Sequence, residues 1–225
     1  MIPASNRKGR NAMLNSGRYR HLSFAAIILM LGIASIASAQ AAKAQKEKSK
    51  AAAPAHAGAR FKVTAPDLVS KGRIALPHVF NGMSCNGQNI SPALDWANAP
   101  AGTKSFAVTA YDPDAPTGSG WWHWVMYNIP ASTTGLAAGA GNAHGMLSSS
   151  NAPKGSVEGT TDFGTKGYGG PCPPVGDKPH HYHFTVFALK VDKLDVPGNA
   201  TAAMVGFNLN ANKLATARIT GLYAR

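Results

Sequence analysis

The stretch "YDPDAPTGSGWWHWVMYNIP", Tyr111 to Pro130, decides how this chain is read. Its second half, "WHWVMYNI", is aromatic and β-branched, the composition of a half-buried strand. Its first half cannot continue a strand. The proline after Asp112 holds that aspartate in extended backbone and removes the next ladder donor. Upstream, "SFAVTAYD" (Ser105–Asp112) is a second strand by the same criteria. Asp112 therefore stands at a strand end beside a turn, where a carboxylate can reach the lip of a cavity. In the following strand, strict alternation puts Trp121, His123, Val125 and Tyr127 on one face and Trp122, Trp124 and Met126 on the other.

Further along, "HYHFTVFALKV" and "TARITGLYA" are also strand-like, the latter placing Ala217, Ile219, Gly221 and Tyr223 on one face. Between Asn199 and Leu214, the segment containing Met204, Val205, Phe207 and Leu209 predicts a short helix. Strands and helices do not alternate as βαβ units. The expected class is mainly β: two antiparallel sheets with a few short helices attached. From Ala131 to Gly170 the chain is dominated by Gly, Ala, Ser, Thr and Asn. Loops beyond ~15 residues are uncommon in compact domains. This one fits a pocket rim and a floppy insertion equally well.

The charge is unevenly placed. The 225 residues carry a formal +12. Residues 1–20 contribute Arg7, Lys8, Arg10, Arg18 and Arg20, and an apolar run from Leu22 ends in Ala37-Ser38-Ala39. This is the pattern of a secretory signal peptide over residues 1–39, cleaved near Ala39. A retained anchor is the alternative, because the run is close to the ~20 residues a membrane span needs. Residues 40–60, "QAAKAQKEKSKAAAPAHAGAR", have no large apolar side chain and read as a disordered tether. The domain, 61–225, holds 12 Lys+Arg against 9 Asp+Glu, a balance of only +3. No cluster of Lys and Arg appears within it, so nucleic acid is not the expected partner. The expected location is periplasmic or secreted. Export would permit a disulfide between Cys85 and Cys172, but a separation of 87 positions leaves that pairing open.

Several chemistries lack their residues. His181 and His183 point the same way in "PHHYHF", but a zinc site needs three or four converging ligands. Asp112 and Asp114 lack the spaced oxygen series of a calcium loop. There is no Gly-x-Ser-x-Gly elbow and no Walker loop. Cys172 lies near histidines in sequence, which is a weak nucleophile argument. No catalytic role, metal or cofactor is expected. What remains is a binding site. Gly169 and Gly170 could present bare N–H groups to an anion. His123, His180 and the Tyr182 hydroxyl could donate hydrogen bonds. Asp112 could orient a histidine or share a proton with an acidic ligand oxygen, and the tryptophans could supply apolar walls. Taken alone, His123 reads as a core histidine.

These residues carry a resemblance. "NGMSCNGQNISPALDW", "YDPDAPTGSGWWHWVMYNIP", "DFGTKGYGGPCPPVGDKPHHYHFTVFAL" and the closing "ITGLYAR" resemble the phosphatidylethanolamine-binding protein family, in its bacterial, Raf-kinase-inhibitor-like branch. The likeness extends over Phe61 to Arg225. It implies a β-sandwich of two antiparallel sheets in Greek-key order, with a pocket for phosphate-like or carboxylate-like groups. It also implies ligand-binding roles for Asp112, Asp114, Pro116 and His123, for the Gly170–Pro174 segment including Pro171, and for His180 and Tyr182. Two departures stand out. The family's common His-Arg-Tyr is His180-His181-Tyr182 here, without a permanent cation, and the chain ends in a strand rather than a helix. The expected function is binding of a small anionic or phosphorylated ligand such as a lipid headgroup. The alternative is a protease or kinase inhibitor, or a scaffold, whose surface loops grip a protein target. A hydrolase pairing His123 with Asp112 would lack a nucleophile.

Overall fold

The computed structural model describes residues 59–70, 73–142 and 151–225. The leader expected over 1–39, and the tether apart from Ala59 and Arg60, lie outside the described residues. Strands are numbered in chain order. The larger sheet contains β7 (Ser105–Asp112), β8 (Trp121–Pro130), β10 (Val157–Glu158), β11 (His180–Leu189) and β12 (Lys213–Tyr223), in the order β10-β8-β7-β11-β12 with every pair antiparallel. A second sheet sets β6 (Leu94–Ala97) between β1 (Lys62–Thr64) and β9 (Gly135–Leu136). Two hairpins complete the strands: β2 (Val69–Ser70) with β3 (Arg73–Ile74), and β4 (Asn81–Gly82) with β5 (Cys85–Asn86).

The two sheets close on one apolar core. Phe106, Trp124, Met126 and Phe184 from the larger sheet meet Phe61, Leu94 and Trp96 from the smaller side. The sandwich expected from the sequence is the fold. A second cluster lies on the opposite face of the larger sheet, where α1 (Ala202–Asn212) sets Val205 and Leu209 against Ala107, Val125 and Phe187. Central β7 is thereby covered on both faces, which is why seven of its eight residues are buried rather than alternating. Helix α1 starts at Thr201, whose hydroxyl oxygen accepts from the Met204 N–H at 3.2 Å. Thr201→Ala is expected to cost about 1 kcal/mol of stability, the usual worth of an N-cap, read as a lowered urea midpoint at unchanged slope.

Strict alternation fails in β8. Pairing with β7 runs Ala110↔Trp124 and then Tyr111↔Trp122, leaving His123 as an extra, unpaired residue. This β-bulge rotates the strand. Trp122 consequently joins the helix-covered face with Val125, while His123 turns towards Tyr182 of the inner face. The sequence expectation of His123, Val125 and Tyr127 on one face is corrected by this single insertion. The 131–170 segment also holds more structure than its composition suggests. It contributes β9 and β10, and Thr160 bridges to Lys166 and Thr201.

Cys85 and Cys172 form a disulfide, their Cα atoms 6.0 Å apart. It ties β5 to the proline-rich segment that leads into β11.

Candidate functional site

Strand β7 runs antiparallel to both of its neighbours, so its last residues lie beside the first residues of β8 and β11. Asp112 pairs with Trp121 on one side, and Tyr111 pairs with His183 on the other. The acid at the end of one strand is thus delivered to the histidines that begin two others. There they surround a cavity of ≈ 160 Å³.

Asp112 is the buried centre of the polar end, 2% exposed. Its Oδ2 lies 2.8 Å from His180 Nδ1, and its Oδ1 accepts the Asp114 N–H at 2.8 Å. The far nitrogen of His180 reaches Asp177 at 3.4 Å. The Tyr182 phenol is pushed far up from its ordinary value, first by burial and then by the charge of Asp112 and a hydrogen bond to it. Tyr182 is therefore a neutral hydroxyl at any physiological pH.

His123 behaves differently. Its Nδ1 stands 2.7 Å from the Gly169 carbonyl oxygen, which can only accept, so Nδ1 carries the proton. Burial holds its pKa down to about 4, against the opposing pull of the Gly169 carbonyl and of Asp112. The ring is neutral at pH 7. It packs edge-on against Tyr182 at 5.1 Å and Phe163 at 5.4 Å.

Five of the residues expected from sequence line this cavity: Asp112, Pro116, His123, His180 and Tyr182. Three do not. Asp114 faces His181, accepting from its N–H at 2.7 Å and meeting its Nδ1 at 2.8 Å. Burial raises the Asp114 pKa, but the bonds to His181 outweigh it and the net shift is downward. Gly170 and Pro171 lie behind the cavity wall. The Gly170 N–H donates to Asn89 Oδ1 at 2.7 Å and the Gly169 N–H to the His123 carbonyl at 2.8 Å, so neither is left to cradle an anion. Glycine is needed at 170 for packing instead, since a Cβ there would stand 2.2 Å from the His78 carbonyl oxygen. Pro171 accepts the Phe80 N–H through its carbonyl. Asp112 pairs with His180, not with His123.

Of the three clustered tryptophans, only Trp121 forms a wall. Trp124 is core, and Trp122 lies under α1. The remaining wall comes from Pro173 and Pro174, within the Gly170–Pro174 segment that the resemblance marked, and from Met83 and Phe163, which sequence reasoning passed over. The Gly-bounded "DFG" was the available signal for Phe163. Nothing in "NGMSC" marks Met83 as a wall residue. Among the described residues, no lysine or arginine lines the cavity. A buried acid–imidazole pair inside apolar walls can bind a compact polar group and exclude water around it.

Comparison with known proteins places this architecture. The family model described as phosphatidylethanolamine-binding protein matches residues 65–224, and the chain belongs to that family. UPF0098 protein YbcL of Escherichia coli strain K12 is 54% identical over 165 residues, covering 73% of this chain and 88% of that protein. UPF0098 protein YbhB of the same strain is 50% identical over 163 residues, covering 72% and 99%. LppC of Mycobacterium tuberculosis strain H37Rv, named as a lipoprotein, is 34% identical over 140 residues, covering 62% and 63%. The crystal structure of E. coli YbcL, described as a new member of the mammalian PEBP family, superposes with a TM-score of 0.70 at 53% identity, covering 74% of this chain and 99% of that one.

Proposed function

We propose that this chain is an exported, non-catalytic binding protein for a small anionic or phosphorylated group of headgroup size. The observation that carries the reading is the Asp112–His180 pair, buried at 2.8 Å and sharing a cavity with His123 and Tyr182. In this reading Asp112 fixes the His180 ring and shares a proton with an acidic ligand oxygen, as a carboxylate beside a second acid does. The Tyr182 hydroxyl contacts a ligand oxygen, and His123, whose Nδ1 proton is given to Gly169, accepts through Nε2 from a protonated oxygen or the ammonium of the ligand. Trp121, Phe163 and Met83 keep water out, which strengthens each of these polar contacts. A cavity of ≈ 160 Å³ suits a headgroup and leaves any longer tail outside.

Binding without turnover is supported by Cys172, which lines the cavity but is committed to the disulfide and unavailable as a nucleophile. Export is supported by the same disulfide, a bond that persists in oxidising compartments, and by a lipoprotein among the relatives.

Phosphoethanolamine titrated into the protein in a calorimeter at pH 7 tests the site. Asp112→Ala and His123→Ala are each expected to weaken binding at least tenfold, with circular dichroism checking that both variants fold. Identical isotherms for the wild type and both variants would overturn the proposal.

A further inference from the structure

A second concavity lies on the far side of the larger sheet, beside α1, and nothing in the pocket's proposed function uses it. This groove of ≈ 360 Å³ is made from cross-strand neighbours on the sheet's outer face. Tyr111 stands between Trp122 and His183, and Thr185 between Thr109 and Arg218. The bulge at His123 is what brings Trp122 to this face. There its indole tilts against Tyr111 at 4.7 Å, under Gly206 of α1, where a Cβ would stand 3.0 Å from the ring. Lys213 closes one end, its ammonium held by Asn210 Oδ1 at 2.7 Å. Among the described residues, Arg218 is anchored by Nε alone, donating to Thr185 Oγ1 at 3.0 Å.

The charge here has one sign. Lys213 and Arg218 line the groove, and among the described residues no aspartate or glutamate does. A further concavity of ≈ 530 Å³ shares Thr216 and Arg218 with it and continues over β12 to Arg60 and Lys62. Residues distant in sequence thus make a basic track that no local run of Lys and Arg foretold. None of these four cations is in an ion pair among the described residues. His183 registers the field. Burial first, then the charges of Arg218 and His181, hold its pKa below the ordinary value against the pull of Asp114 and Asp112.

We propose that this track binds a linear acidic polysaccharide, one sugar ring resting on Tyr111 and Trp122 and its carboxylates running over Arg218 towards Lys62. Aromatic faces suit the apolar C–H face of a sugar ring. Threonine hydroxyls and amides suit its hydroxyls, and a guanidinium held by one nitrogen keeps a free edge for a carboxylate. A flat bilayer does not reach aromatic rings recessed between a helix and a sheet. The two concavities joined at Arg218 favour a chain over a single sugar.

The test titrates the full-length protein with tetragalacturonate, galacturonate and neutral maltotetraose at 150 mM salt, following tryptophan fluorescence and calorimetry. Tetragalacturonate is expected to bind at least tenfold more tightly than maltotetraose. Arg218→Gln should weaken the tetramer at least fivefold. Lys62→Gln, at an exposed strand position, should weaken the tetramer about threefold and leave the monomer unchanged. Equal affinity for acidic and neutral tetramers overturns the proposal, as does indifference of the tetramer to both variants. Tighter binding of oligothymidylate or of phosphatidylglycerol vesicles than of tetragalacturonate also overturns it, by assigning the track to another polyanion.

Discussion

Replacing both Cys85 and Cys172 by serine is expected to destabilise the protein by about 3–5 kcal/mol. The bridge closes a loop of 87 residues, and the chain-entropy model assigns a loop of that size roughly 4–5 kcal/mol before any change in the native state is counted. The effect should be concentrated at the cavity mouth. The β4–β5 hairpin turns through Met83 and Ser84, both with positive φ (52° and 63°). A tight turn of this kind favours Asn-Gly, and non-glycine residues held in this region cost on the order of 1 kcal/mol each. The hairpin is therefore retained from outside. Besides the disulfide, Arg225 donates through Nη1 to the Met83 and Ser84 carbonyls at 3.2 and 3.3 Å, and through Nε to the Pro173 carbonyl at 2.7 Å. Without the bridge, Met83 should leave the cavity rim more readily, loosening ligand as well as fold. Urea unfolding of the wild type and the double serine variant, with phosphoethanolamine titrations alongside, reads both effects. An unmoved urea midpoint would show that the Arg225 contacts suffice without the covalent link.

Much of this arrangement was legible because it follows from short-range rules. Apolar patterning located β7, β8, β11 and α1, and the proline after Asp112 marked where β7 stops. Two strand ends and a proline turn then sufficed to bring Asp112 near a cavity. What escaped were consequences of long-range geometry. Alternation predicts faces only while register holds, and one extra residue at His123 exchanged the positions of Trp122 and the histidine. The glycine pair resembled an anion nest, but whether an N–H is free depends on what folds against it. Here Asn89, some eighty positions upstream, takes the Gly170 N–H. Sequence proximity likewise suggested His123 as the partner of Asp112, whereas sheet order favours the β11 histidine. Met83 joined the wall through a disulfide whose formation no spacing could establish and through Arg225, 142 positions downstream.

Burial of a carboxyl that the proposed site does not use sets up the second large effect. Glu158 stands on β10 against the core, its Oε2 accepting the Trp124 indole N–H at 3.1 Å. Burial pushes its pKa up to about 8 from 4.5, although the indole bond pulls the other way. The folded state therefore favours the protonated acid. The resulting stability is fully present below about pH 4.5, where folded and unfolded chains are both protonated, and is lost as pH rises through about 8. At about 1.4 kcal/mol per pH unit, and allowing for the solvent this half-buried side chain still meets, the loss should be on the order of 3 kcal/mol. Glu158→Gln keeps an acceptor for the indole and abolishes the titration. The variant should match the wild type near pH 4.5 and exceed it by most of that amount at pH 9. Urea midpoints for both proteins at pH 5, 7 and 9 decide the matter. Parallel profiles would mean that the ionised carboxylate finds water without disturbing Trp124, and that β10 yields at no measurable cost.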